Sequence, residues 1–163
     1  MEKIEIRKME IKDFEKVHEL VNQIYKLHLN NREDIYRNEN PLYKKDFIDF
    51  LNNPNCMCYV AVVNNEIVGE IIATIKEIKE EGIFKYRKIL YIEDICVDSK
   101  HSKQGIGTKL YEMVKKKALG ADIDSIELNV WAFNEGAIQF YGKLGLKCKS
   151  MRLESKLKQK KLT

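Results

Sequence analysis

Three stretches of the chain hold residue types whose spacing could do chemistry. The first, DSKHSKQGIGTKLYEMVK from Asp98 to Lys115, puts Gly105 and Gly107 where a polar loop turns into an amphipathic helix. A helix start offers backbone N–H groups without intrahelical partners and the positive end of the helix dipole, and glycines let a phosphate approach that backbone closely. The turn is therefore a candidate anion site. It fits neither of two familiar nucleotide motifs. The dinucleotide fingerprint needs a third glycine where Leu110 stands, and the P-loop needs glycine directly before lysine, whereas Thr108 separates Gly107 from Lys109. Lysines outnumber acids between Asp98 and Gly120, so positive field gathers near the glycine pair and suits a polyphosphate. For Lys115, Lys116 and Lys117 alone, a solvated helix face is an equally good reading.

The second stretch is LNVWAFNEGAIQFYGKLGL, from Leu128 to Leu146. Asn134 is well suited to cap a helix, and Tyr141, two turns later, falls on nearly the same face. The third is LYIEDICV, Leu90 to Val97. If it is a regular strand, Glu93 shares a face with Tyr91, Ile95 and Val97, while Asp94 points with Ile92 and Cys96. One carboxylate is then expected at a cleft and the other in the opposite layer. His18 falls inside the first predicted helix, His28 beyond its end and His101 in the loop before the glycine turn, and none has the setting of a catalytic base. Cys56 and Cys58 have no second pair at zinc-site spacing, so Cys56, Cys58, Cys96 and Cys148 are expected as reduced, buried thiols and no metal site is expected.

The elements that must position these residues follow from the apolar periodicity. Ile4 and Ile6 alternate as a first strand. From Lys12, the residues Phe14, Val17, Leu20, Val21, Ile24 and Leu27 recur at helical spacing, and Phe47, Phe50 and Leu51 share a face of a second helix that Pro54 stops. Three antiparallel strands follow, MCYVAVV, EIVGEIIATIKEIK and KILYIEDICV, joined at Asn64-Asn65 and around Gly82. Ile106, Leu110, Met113, Val114 and Ala118 form the stripe of a third helix ending at Gly120. SIELNVW is expected as a strand, NEGAIQFYGKL as a helix and GLKCKSMRLESKL as a last strand. The fold class is thus α/β (α+β), a mixed and mostly antiparallel sheet flanked by helices in the order β-α-α-β-β-β-α-β-α-β.

With 163 residues, 44% of them hydrophobic and 33% charged, the chain has the composition of one folded domain. Residues 1–156 are expected to form it, with 157–163 as a basic tail. No apolar run is long enough for a membrane span and the charged N-terminus lacks a signal peptide's apolar core, so a cytoplasmic protein without a membrane partner is expected.

Taken together, the two glycine-bearing stretches resemble the acetyl-CoA-dependent GNAT superfamily of N-acetyltransferases. The resemblance runs from the first strand to Lys156 and is most specific between Tyr91 and Leu146. The family's Gln/Arg-x-x-Gly-x-Gly/Ala turn matches Ser102-Lys103-Gln104-Gly105-Ile106-Gly107, followed by Thr108. It implies that backbone amides here cradle the CoA pyrophosphate. Ser102 stands where the family has a long Gln or Arg, with Lys100 and Lys103 at hand for that contact. The family's later Asn and Phe-Tyr-x-x-x-Gly-Phe segment matches Asn134 and Phe140-Tyr141 through Gly145-Leu146. The resemblance implies that Asn134 contacts the pantetheine or phosphate arm, that backbone groups of Ile95, Cys96 and Val97 pair with pantetheine like an added strand, and that Tyr141 protonates the CoA sulfur. Tyr91-x-Glu93-Asp94 is similar to the spermidine and diamine branch, which implies amine binding or water-relayed base catalysis by Glu93.

The implied activity is transfer of an acetyl group from acetyl-CoA to a primary amine by direct attack in a ternary complex, with a small amine or polyamine as acceptor and substrate contacts around Tyr25 to Tyr43. Two other readings stand beside it: a basic nucleic-acid-binding module, for which no RNP-like strand, helix-turn-helix or zinc-ligand pattern is found, and a CoA-binding sensor without catalysis. Such folds commonly dimerise, and nothing in the residues decides for or against a homodimer.

Overall fold

The computed structural model describes residues 2–158. The chain divides into two compact units, one up to Asn129 and one from Val130 onward. The first holds strand β1 (Glu5–Lys8), helices α1 (Phe14–Asn31) and α2 (Lys44–Asn52), strands β2 (Cys56–Val63), β3 (Glu66–Ile78) and β4 (Arg87–Val97), helix α3 (Ile106–Leu119) and strand β5 (Ser125–Glu127). The second holds helix α4 (Glu135–Lys143). The five strands lie in the order in which they occur in the chain, antiparallel except for the parallel β4–β5 pair. This is the mostly antiparallel sheet flanked by helices that the periodicity predicts.

Each hairpin has a local cause. Asn64 and Asn65 both take positive φ, 49° and 65°, giving the two-residue turn whose twist suits antiparallel strands. One face of the sheet packs Val60 and Ile72 against Val17 of α1 and Phe47 of α2. The other face receives α3, and Gly69 sets how closely. A Cβ there would stand 3.1 Å from Ile106, from Leu110 and from the Cys96 carbonyl oxygen. The start of α3 is thus seated on β3 and β4 by a residue without a side chain. Where β1 runs into α1, Arg7 donates to both oxygens of Asp13, at 2.8 and 2.9 Å, and the Glu10 amide donates to the same carboxylate.

Of the four cysteines, expected to be buried, Cys96 is buried, Cys56 and Cys58 are half-buried and Cys148 is exposed. Three further expectations are corrected. Helix α1 runs one turn past Leu27 to Asn31 and so includes His28. Strand β5 is three residues, not the whole of SIELNVW. The expected last strand, GLKCKSMRLESKL, carries no ladder among the described residues. Its apolar residues change parity, Leu146 and Cys148 even but Met151, Leu153 and Leu157 odd, so no single face of a strand could bury them.

Candidate active site

The glycine turn is built from the end of β4. The Asp98 amide donates to the Val68 carbonyl, and the Asp98 carboxylate accepts from the Lys100 amide, which winds Ser99–His101 into a single tight turn. The chain then passes Ser102, Lys103 at φ 61° and Gln104 to Gly105 at φ 79°. Gly105 is the N-cap of α3, in a left-handed conformation that other residues adopt at a cost. Ile106, buried against Gly69, fixes the helix end, while Ser102, Lys103, Gln104, Gly105 and Thr108 are exposed and Gly107 is half-buried. Amides of the first helical turn, at Ile106, Gly107 and Thr108, are those that have no carbonyl four residues behind them within the helix. They sit on an exposed helix end next to Lys100, Lys103 and Lys109, which is a fit for an anionic diphosphate. Lys115, Lys116 and Lys117 do not share this place. They lie at the other end of α3, about 15 Å away at 1.5 Å per residue, where they complement the negative end of the dipole.

Directly upstream, Ile95, Cys96 and Val97 pair with Ile71, Glu70 and Gly69 of β3. On its other side β4 pairs with β5 only at Ile89, Leu90 and Tyr91. Among the described residues no strand runs beside Ile92–Val97 on that edge, so its outward backbone groups can pair with an extended ligand leading to the glycine turn. The structure thus brings Ile95, Cys96 and Val97 together with Ser102 to Thr108 in one continuous run.

On the opposite face of the sheet, α1, the following loop, α2 and β4 enclose a cavity of about 390 Å³. Tyr25 and His28 of α1 and Tyr36 from the loop form an aromatic wall, with ring centroids 6.2 Å apart for Tyr25 and Tyr36 and 5.6 Å for His28 and Tyr36. Tyr25 is held by the loop it faces, donating its hydroxyl to the Arg37 carbonyl and accepting from the Glu39 amide. Burial pushes the His28 imidazole below its ordinary pKa, which favours the neutral ring.

Glu93 and Asp94 both line this cavity, contrary to the expectation that they face opposite layers. The β3–β4 ladder pairs Ile92 with Ala73 and Asp94 with Ile72, skipping Glu93. This one-residue bulge resets the alternation. Tyr91 and Asp94 consequently look the same way, toward α1, and Glu93 joins them. Glu93 is ion-paired with Lys76 at 2.9 Å, and the Lys76 ammonium also lies 4.0 Å from the centre of the Tyr91 ring. Behind Asp94, on β3, the fully buried Glu70 makes contact with it, carboxyl to carboxyl.

In the second unit, Asn134 caps α4, its side-chain oxygen accepting from the Ala137 amide at 3.2 Å. Tyr141 lies two turns on, half-buried, its ring 5.2 Å from that of Phe140. The helix ends in a Schellman turn: the Leu146 amide donates to Tyr141 and the Gly145 amide to Gly142, with Gly145 at φ 89°. The glycine of the Phe-Tyr-x-x-x-Gly segment is therefore the residue that closes the helix carrying Tyr141.

His18 is occupied with Asn40 at 2.9 Å, and the buried Nδ1 of His101 has no hydrogen-bond partner among the described residues. From the sequence His28 is set aside as lying beyond the helix, Asp94 is placed in the opposite layer, and Glu70 is not singled out. Their signals are weak but present: His28 continues the spacing of Val21 and Tyr25, and Glu70 is a lone acid within the apolar run IVGEIIATI.

Residues 16–146 match the acetyltransferase (GNAT) family. The chain belongs to that family. As a GNAT protein it is an acyl-CoA-dependent N-acyltransferase, and acetyl-CoA is the donor that the family uses. It is 30% identical over 131 residues to the streptothricin acetyltransferase of Escherichia coli, covering 78% of this chain and 70% of that one. With N-alpha-acetyltransferase 30 of Homo sapiens it shares 31% identity over 96 residues, 59% of this chain and 25% of that longer protein. Among solved structures, a mutant of the BH1408 protein from Bacillus halodurans matches this GNAT chain with a TM-score of 0.91 at 29% identity, over 94% of this chain and 99% of that one. An aminoglycoside N-acetyltransferase in complex with CoA shares the fold, with a TM-score of 0.76 at 15% identity over 96% of this chain and 95% of that one. Among the described residues no helix is long and apolar enough to cross a membrane and no cluster of His, Cys, Asp and Glu could hold a metal ion.

Proposed function

We propose that this protein moves the acetyl group of acetyl-CoA onto a primary amine that enters the cavity between α1 and β4, by direct attack within a ternary complex. The observation that carries the reading is the continuity of the β4 edge at Ile95–Val97 with the exposed, left-handed Gly105 at the start of α3. The edge suits an extended pantetheine arm and the helix start suits the pyrophosphate, held by amides of Ile106, Gly107 and Thr108 with Lys103 nearby. A backbone N–H between Ile95 and Val97 steadies the carbonyl oxygen as it gains charge. Asn134 contacts the cosubstrate's arm, and Tyr141 supplies the proton that the leaving sulfur needs.

The aromatic wall and the acidic floor of the cavity support a cationic acceptor with an apolar body, such as a small diamine or polyamine. Glu93, already paired with Lys76, binds that amine. Relatives named for streptothricin and for N-alpha acetylation motivate a wider panel: spermidine, putrescine, an aminoglycoside and a peptide with a free N-terminus.

The test is thermal unfolding with and without acetyl-CoA, followed by thiol release over that panel. A ligand at about 100 times its Kd adds roughly 2.7 kcal/mol, which raises the midpoint of a domain this size by roughly 5 to 10 °C. Tyr141→Phe is expected to keep that shift and lose roughly 100-fold in kcat. Absence of the shift at millimolar acetyl-CoA refutes the reading.

A further inference from the structure

Glu70 is fully buried, and neither of its carboxyl oxygens receives a hydrogen bond of good geometry from any N–H or O–H donor among the described residues. Its polar neighbour is the carboxyl of Asp94, placed diagonally across the ladder because Ile72 pairs with Asp94 and Glu70 with Cys96. Two carboxylates in contact in a dry interior repel strongly, and the contact becomes favourable once one of them is protonated and donates to the other. One face of that pair is sealed, since Glu70 has no exposed surface. The other opens on the cavity, because Asp94 lines it, with Oδ2 buried and without a hydrogen-bond partner among the described residues.

We propose that Glu70 and Asp94 share one proton, and that Asp94 is the group that takes the proton an acceptor ammonium must lose, with Glu70 as the positioning residue behind it. The inference rests on the acetyltransferase reading of the same cavity. An N–H bond of R–NH3+ breaks and an O–H bond forms on Asp94. The freed lone pair makes the C–N bond to the acetyl carbon, the C–S bond breaks with its electron pair leaving on sulfur, that sulfur takes the Tyr141 proton, and the second nitrogen proton restores Tyr141. Asp94 returns its proton to water, so each turnover releases one proton, an amide and a thiol.

Burial pushes the Glu70 carboxyl well above the usual carboxylate range, and the neighbouring Asp94 pushes it further, outweighing the Cys96 amide, which acts the other way. Asp94 is raised by burial too, though its closeness to Glu70 and to the Ile95 amide holds it back. Glu70 thus keeps the proton and Asp94 keeps the charge. The other titratable groups facing the pair support this division. Cys58 on β2 and Cys96 on β4 are neutral thiols, Cys58 pushed up to about 12 by burial and, less, by Cys56 and Glu70. Glu93 is matched by Lys76. From α1 and its loop come Tyr25, the neutral His28 and Tyr36, so no cation of those elements lies at the cavity wall to hold a second carboxylate charged.

The experiment compares wild type, Glu70→Gln, Glu70→Leu and Asp94→Asn. Infrared difference spectra of isotope-labelled protein at neutral pH should show one protonated carboxyl band, lost in Glu70→Gln. With the best acceptor among spermidine, putrescine, an aminoglycoside and a free-amine peptide, Asp94→Asn should lose roughly 100-fold or more in kcat/KM and the acidic limb of its pH profile. Glu70→Gln, which still donates to Asp94, should keep that limb near its wild-type position, while Glu70→Leu, which cannot donate, should move it to higher pH. The acetyl-CoA thermal shift should be the same in all four. Absence of the carboxyl band in wild type overturns the shared proton. Wild-type turnover and limb in Asp94→Asn overturn its catalytic role. A failure of the acetyltransferase reading shows itself differently, as no acetyl-CoA shift and no turnover with any amine even in wild type, and it removes the catalytic half while the band still decides the shared proton.

Discussion

The carboxyl of Glu70 meets that of Asp94 diagonally across the β3–β4 ladder, one fully buried and the other at the wall of the cavity. The contact has a consequence for stability as well as for chemistry. A carboxyl whose folded pKa is raised favours the native state below its unfolded value, and that contribution is lost as pH climbs toward the folded value. In the unfolded chain Glu70 ionises near 4.5. The Glu70 contribution to native stability therefore falls with rising pH above that point.

Glu70→Gln removes this dependence while keeping shape and a donor. Its unfolding midpoint is expected to exceed that of wild type at pH 8 and to approach it at pH 5. Differential scanning calorimetry across that range checks it, and a gap that stays constant with pH would dismiss the buried proton as its cause.

Asp13 works in the opposite direction. Burial alone would raise its pKa, but the paired hydrogen bonds of Arg7 and the Glu10 amide outweigh this and hold it below the usual range. Its contribution is present above the unfolded value and lost as pH falls through the folded one. Arg7→Ala is expected to cost about 1.5 to 3 kcal/mol at pH 7, roughly 3 to 12 °C in midpoint, with the difference from wild type narrowing below pH 4. Urea titrations at pH 7 and pH 3 measure it.

Gly105→Ala meets no steric obstacle, since the space around its absent Cβ is open, but it forces a side chain into φ 79°. The strain is about 1 to 2 kcal/mol, to be seen either as a lower midpoint or as relaxation of the turn. A relaxed turn would weaken acetyl-CoA binding, so isothermal titration should show a raised Kd for the variant while spectra of the fold stay unchanged.

Gly69→Val tests the seat of α3. Its new side chain would press on Ile106, Leu110 and the Cys96 carbonyl, already 3.1 Å from a bare Cβ. Overpacking of this kind costs about 1 to 3 kcal/mol, and because Ile106 opens α3, acetyl-CoA binding should weaken together with stability. Measuring both in one variant distinguishes it from Gly105→Ala, whose cost falls on the turn alone.

Much of this architecture is legible in the residues because it follows from alternation. The runs of β2, β3 and β4, the Asn64-Asn65 turn, the helical stripe from Ile106 to Ala118 and the Asn134 cap all announce themselves by period or by turn chemistry. The bulge does not. Adding Glu93 to β4 leaves a string that still alternates acceptably in either phase, so only the ladder partners Ile92–Ala73 and Asp94–Ile72 reveal where the count slips. His28 was hidden for another reason: three of the four residues in the last turn of α1, His28, Asn30 and Asn31, have little preference for helix, and the turn is held in part by Asn31 donating to the Leu27 carbonyl. The pairing of Glu70 with Asp94 joins residues far apart in the chain, a relation that no local pattern records.

Glu93 is the one residue of β4 between Arg87 and Val97 that the ladder with β3 does without. Most residues that serve a site on a strand do so in place of a packing residue, and changing them disturbs both roles at once. Here the side chain was added to the strand instead of exchanged within it. Deleting Glu93 outright would leave every pairing partner of β4 in its register and every neighbour on its own face. Shortening the chain by one residue is thus a gentler operation on this sheet than many substitutions, and it separates what Glu93 does for a ligand from what β4 does for the fold.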